Sequence, residues 1–171
     1  TSLLYPLWLL LLTTGMRRGE AMGLRWQDLD LAARTISISQ TRVQLSYEAV
    51  VSTPKTQKGR RLVALDPQTA AVLQGLRERR ETECRRKGTR LSPTDVVFTT
   101  DGGEPLHPER ATRLFRAAAK RAGVPIIRLH DLRHTHASLA ITAGVHPKVV
   151  SERLGHANIG ITLDTYSHCL P

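Results

Sequence analysis

Between residues 3 and 13 the chain is apolar almost all round a helical wheel, the pattern of a helix buried on every side. Thr14-Gly15 breaks that run before a second, shorter helix over 18–24, so Arg17 is expected at a helix junction. Residues 26–30 read as a turn, after which polar and apolar positions alternate over 35–39 as in a half-buried strand. The β-prone runs 48–52 and 61–65 complete a small antiparallel sheet, with Lys55 on the link between its last two strands.

A longer amphipathic helix starts at Pro67 and runs to about 87, with Ala71, Leu73 and Leu76 set against a face rich in Arg and Glu. A loop at 88–94, a short strand at 96–99 and a tight turn at Asp101-Gly102-Gly103 follow. Four more helices are expected at 108–122, 130–143, 147–154 and 159–166, the first two ending at Gly123 and Gly144. No internal repeat or low-complexity tract interrupts the pattern. The fold class is α+β and mostly α-helical, a helical domain with one small three-stranded antiparallel sheet.

A chain of 171 residues fits one domain, spanning 1–171, and buries a core without disulfides or a structural metal. Lys and Arg number 25 against 15 Asp and Glu, and the resulting charge of +10, mostly arginine, points to a polyanionic partner. Basicity alone does not separate DNA from RNA or an anionic membrane, but an aromatic content of 4% leaves few stacking platforms for single strands. Cys84 and Cys169 lie far apart without a CxxC or zinc-ligand pattern, which argues against a disulfide framework or zinc finger and makes a reducing, cytosolic setting the default. The apolar run at 3–12 is too short to span a membrane, contains Pro6 and Trp8, and lacks the basic leader of a signal peptide. The chain opens on that helix without an initiator methionine and stops soon after Tyr166, as a fragment would.

The candidate chemistry gathers near the end of the chain. Leu129-His130-Asp131-Leu132-Arg133-His134 is followed by Leu154-Gly155-His156 and then by Tyr166. Arg17, in Thr14-Gly15-Met16-Arg17-Arg18-Gly19-Glu20, and Lys55, in Pro54-Lys55-Thr56-Gln57-Lys58-Gly59-Arg60-Arg61, complete a set suited to phosphate. A guanidinium stays protonated and binds two oxygens in one plane, imidazoles donate or shuttle protons, and a phenol can attack phosphorus. His130 and Arg133, three apart at a helix start, project toward one site. His134 and His136 fall on different helix faces, so no shared metal ligation is expected and both read as structural.

Each residue taken singly also has a bland reading. Arg17 could pair with Glu20, His130 could cap its helix, and His156 could answer a helix dipole. Tyr166 could be a packing tyrosine, and the basic hairpin around Lys55 a phosphate-contacting surface. Of the other tyrosines, Tyr5 is expected in the core and Tyr47 on the surface. The order and spacing of the whole set favour function.

The ordered set Arg, Lys, His-x-x-Arg, His, Tyr resembles the catalytic domain of tyrosine recombinases, the phage-type integrase family, over about residues 7–168. The resemblance implies site-specific DNA recombination through a covalent 3′-phosphotyrosyl intermediate with Tyr166 as nucleophile. Arg17, Arg133 and His156 would hold the phosphate, His130 would accept a proton or bind phosphate while assisting Tyr166, and Lys55 would protonate the departing 5′ oxygen. Lys58 is the substitute for Lys55, Glu20 would orient Arg17, and His168 is a weaker match. The resemblance further implies double-stranded DNA as substrate, self-association into a tetramer on paired sites, a cytoplasmic and nucleoid-associated location, and no cofactor, metal or ATP. In the family a separate amino-terminal domain grips the other face of the DNA and a carboxy-terminal tail packs on a neighbouring subunit. A type IB topoisomerase and a catalytically inactive DNA-binding module remain as alternative readings.

Overall fold

The computed structural model describes residues 4–45, 48–52 and 60–169. Helix α1 (Tyr5–Thr14) runs through the centre, with Leu7, Leu10 and Leu11 on it almost wholly removed from solvent. Burying each leucine contributes about 1.5–3 kcal/mol, which is the physical content of the unbroken apolar run. Tyr5 departs from the expected core position: it is 37% exposed in the first turn, where the helix emerges from its packing. Gly15 ends α1 in the left-handed conformation, φ 66°, donating its N–H to the Leu11 carbonyl.

Helix α2 (Arg18–Gly23) follows at once, then a 3₁₀ turn (Trp26–Asp28) and the strand β1 (Leu29–Asp30). Strand β2 (Thr35–Ile38) pairs antiparallel with β1 and with β5 (Arg61–Ala64), giving the three-stranded sheet in the order β1-β2-β5. Leu29 opposes Ile36, and Ile36 opposes Val63, so one face is apolar and buried. The sheet differs in membership from the sequence expectation. Residues 29–30, read as part of a turn, supply its third strand, and β4 (Glu48–Ser52) pairs instead with β3 (Thr41–Leu45) in a separate antiparallel ribbon. Pairing with the nearest segment along the chain costs the least loop entropy, and β3 was that unrecognised neighbour.

Helix α3 (Pro67–Arg86) is capped by Asp66, whose carboxylate accepts the Thr69 N–H at 2.9 Å. Its buried stripe is Thr69, Ala70, Leu73 and Leu76; Ala71, expected inside, is exposed one position off that stripe. Residues 96–99 do not form a strand. They contribute isolated bridges, Arg25 to Val96 and Thr99 to Pro105, because their backbone partners are loop residues. Helices α4 (Pro108–Arg121), α5 (Asp131–Thr142), α6 (Pro147–Leu154) and α7 (Ile159–Tyr166) agree with expectation to within two residues at each end. Among the described residues, no helix is long and apolar enough to cross a membrane.

The apolar interior has two parts. The larger joins α1, α2, the three-stranded sheet and α3. The smaller joins α5, α6 and α7 through Ala137, Ile141, Val150, Leu154 and Tyr166. Helix α1 packs on both α3 and α5, so the carboxyl end of α1 lies where the two parts meet.

Candidate active site

Four chain segments converge at that meeting point. Gly15, at the end of α1, presents its carbonyl to Arg133 of α5, whose Nη1 donates to it at 2.7 Å. Arg17, immediately before α2, donates from Nη2 to the Gly155 carbonyl at 3.1 Å. Gly155 ends α6 with φ 68°, and His156 is the next residue. A Cβ at either glycine would collide with its surroundings: at Gly15 with Leu154 Cδ2 at 2.6 Å, at Gly155 with Arg61 Nη1 at 2.8 Å. The two helix ends therefore need glycine both for their turn and for their closeness.

Arg133 is 4% exposed. Burial, then the positive charge of Arg17, brings its pKa down to about 10, with Glu20 opposing that trend. It remains cationic at neutral pH, with its charge directed by a helix-end carbonyl. Arg17 is about half exposed and makes the ion pair with Glu20 suggested by the sequence, Nη1 to Oε1 at 3.0 Å. The ion pair and the reach across to α6 coexist, because the guanidinium uses different nitrogens for each.

Glu20 is nearly inaccessible, and its two oxygens are shared by Arg17 and Arg61. Burial alone would raise its carboxyl pKa, but the Arg61 hydrogen bonds and charge, with help from Arg17, hold it below the usual carboxylate range. Arg61 is a residue that sequence reasoning assigned to a phosphate-contacting hairpin. It opens β5, as the β-prone run 61–65 predicts, but its side chain is buried against Glu20 rather than turned outward, and its Nε donates to the Arg153 carbonyl at 2.7 Å. Its signal in the sequence was indistinguishable from that of its basic neighbours.

His156 Nδ1 bonds the Thr162 hydroxyl at 2.7 Å, and Thr162 is wholly buried one turn before Tyr166 on α7. Burial, reinforced by the positive charges of Arg133, Arg17 and Arg61, lowers the His156 pKa to about 4. These three arginines and His156 thus share one electrostatic environment, which is what a site for an anion requires.

Tyr166 ends α7 and is buried, 3% exposed as a residue. Its hydroxyl bonds His134 Nδ1 at 2.7 Å, although His134 was expected to be structural. Burial raises the phenol pKa, and Arg133 opposes this. His130, at the N-cap of α5, stands edge-on to His134 with ring centroids 5.2 Å apart. His136 lies on another face of the same helix and does act structurally. Its Nδ1 bonds the Leu12 carbonyl at 3.0 Å, while Nε2 accepts from Arg153 Nε at 3.2 Å. That pattern fixes a neutral ring protonated on Nδ1, and burial followed by Arg153 lowers its pKa to about 4. Arg153 also donates to the carbonyls of Thr13 and Ala64, tying α6 to α1 and β5.

The structure therefore brings together Arg17, Arg133, His156 and Tyr166, with His130 beside His134 at the edge of the group. Lys55, Lys58, Tyr47 and the side chain of His168 lie outside the described residues. No group of three or more His, Cys, Asp or Glu side chains suited to a metal ion occurs among the described residues.

Comparison with known proteins bears on the family and the fold. The model of the phage integrase family matches residues 4–171. The chain is 33% identical to a protein of Caldanaerobacter subterraneus subsp. tengcongensis named tyrosine recombinase XerC-like, over 98% of this chain and 46% of the relative. It is 32% identical to the ICEBs1 integrase of Bacillus subtilis, over 92% of this chain and 43% of the relative. The chain thus spans about half the length of the curated relatives it matches. Among solved structures, the Tn1549 transposon integrase in complex with transposon right end DNA superposes with a TM-score of 0.80 at 27% identity, covering 95% of this chain and 54% of that one.

Proposed function

Since the chain belongs to the phage integrase family, we propose that it carries the catalytic site of a site-specific DNA recombinase. The site cleaves and rejoins strands of double-stranded DNA through a covalent 3′-phosphotyrosyl intermediate. The observation that carries this reading is the convergence of Arg17, Arg133, His156 and Tyr166 from four separate segments.

In this reading Arg17, Arg133 and His156 bind the scissile phosphate, and His130, at the edge of the group, is a further phosphate ligand. As Tyr166 attacks, negative charge grows on the non-bridging oxygens, and cations already fixed by Glu20 and the helix-end carbonyls meet it without reorganising. Glu20 balances the arginines before DNA arrives, so two guanidinium groups can be held close together. The departing 5′ oxygen takes its proton from Lys55 or Lys58. The phosphotyrosyl linkage stores the bond energy, so the reverse attack by a 5′-hydroxyl reseals the strand. Arg110, Arg113 and Arg116, exposed along α4, supply phosphate contacts that position the duplex without reading its sequence. Recombination joins two sites, and four protomers on paired DNA are the assembly we infer.

The test is to mix the protein with nicked duplexes carrying candidate sites, denature in detergent and look for a covalent protein-DNA band. Tyr166→Phe abolishes the band while DNA binding persists, and Arg133→Ala slows its formation by about two to three powers of ten. Adducts that persist in Tyr166→Phe would move the nucleophile elsewhere. Salt-dependent binding by wild type with no adduct at all would make the protein a DNA-binding module.

A further inference from the structure

The Tyr166 phenol is buried among Ala137, Ile141, Val150 and Leu154, and its hydroxyl meets a single imidazole nitrogen, Nδ1 of His134, at 2.7 Å. Among the described residues no hydrogen bond links that hydroxyl to His130. The His130 ring instead packs edge-on against His134, at an interplanar angle of 85°. His136, the other histidine of α5, has both nitrogens engaged, by Leu12 and by Arg153. Direct contact with the reacting oxygen therefore separates His134 from its neighbours.

We propose that His134 is the general base of strand cleavage, its Nδ1 taking the proton of Tyr166 as the phenol oxygen attacks phosphorus. The inference rests on the recombinase reading above and deepens it. A neutral imidazole protonated on Nε2 presents Nδ1 as an acceptor, so the hydroxyl donates toward His134 and keeps a lone pair available for the phosphate. Burial makes free phenolate scarce, so an acceptor already in hydrogen-bond contact removes the need to form it in advance. In the step, the Tyr166 O–H bond breaks as an N–H bond forms on His134. A tyrosyl O–P bond forms and the P–O5′ bond breaks, the 5′ oxygen taking a proton from the general acid. On resealing, the incoming 5′-hydroxyl gives its proton back to the deprotonated general acid as its oxygen displaces the tyrosine oxygen from phosphorus, and the protonated His134 returns its proton to that tyrosine oxygen.

Two variants and a modified substrate test this. In His134→Asn the amide sits near the former Nδ1 and keeps a hydrogen bond to the hydroxyl but takes no proton; His134→Ala keeps neither. Both are assayed for DNA binding and for the single-turnover rate of adduct formation, on ordinary DNA and on DNA with a 5′-bridging sulfur, a leaving group that needs no protonation. The expected result is DNA binding within about twofold of wild type and a loss of about a hundredfold or more in rate for both variants, persisting on the sulfur-bridged substrate. A His134→Asn rate close to wild type would leave His134 a hydrogen-bonding role and overturn the proposal. Rate restored by the sulfur-bridged substrate would make it part of the acid side and overturn it equally. Wild type forming no adduct on either substrate would instead defeat the underlying recombinase reading.

Discussion

His156 is held on its Nδ1 side by one buried hydroxyl, that of Thr162. With the Thr162 hydroxyl donating to Nδ1, the neutral ring carries its proton on Nε2, and that N–H is free to donate a hydrogen bond to a phosphate oxygen. Thr162→Val keeps the shape and removes that donor, so we expect adduct formation to fall about tenfold while DNA binding changes little. A single-turnover rate equal to wild type would contradict the role. At this scale the sequence was informative about residue types and less so about their partners. Arg17, Arg133, His156 and Tyr166 were legible as candidates from their order and spacing, and the structure brings them together. His134 was not separable from His136, since both lie two residues apart on one predicted helix and only packing shows that one faces Tyr166 and the other Leu12. Arg61 was hidden among other basic residues, because a charge pattern does not reveal which arginine turns inward to a carboxylate.

Helix ends do much of the positioning. Helices α1 and α6 both stop on left-handed glycines, and the carbonyls of Gly15 and Gly155 hold Arg133 and Arg17. Gly155→Ala would strain the backbone at φ 68° and press a methyl group to within 2.8 Å of the Arg61 guanidinium. The expected outcome is a loss of about 1–2 kcal/mol, read as a lower Tm or denaturant midpoint, together with slower cleavage as Arg61 shifts against Glu20. An unchanged midpoint would contradict the clash. Helix ends were also the elements most readable beforehand, since Pro near a start and Gly just past an end are local signals. The sheet was less so. Strand β1 is two residues long, β3 was missed, and 96–99 pair only through isolated bridges, because strand pairing depends on partners distant in sequence.

Across the whole molecule, pH couples the site to stability. His136 and His156 titrate at about 4 when folded and near 6.5 when unfolded, so the unfolded chain binds more protons over that interval. The stability they contribute is complete above about 6.5 and is lost as pH falls toward 4. The depressed carboxyls of Glu20 and Asp66 act in the same direction, their contribution being lost as pH falls through their lowered pKa values. Thermal melts between pH 7 and 4 are expected to show Tm declining throughout, with His136→Gln flattening the upper part of the decline. A Tm constant from pH 7 to 5 would contradict it.

The sequence by itself determined the helical pattern, the central apolar helix, the basic charge and the ordered set of candidate phosphate-handling residues, because each is written in local periodicity or short spacing. Tertiary structure decided which strands pair, which histidine meets the tyrosine and which arginine is buried on Glu20. Those outcomes follow from the docking of α1, α5, α6 and α7 around two helix ends, where burial and long-range contact fix the direction of each side chain.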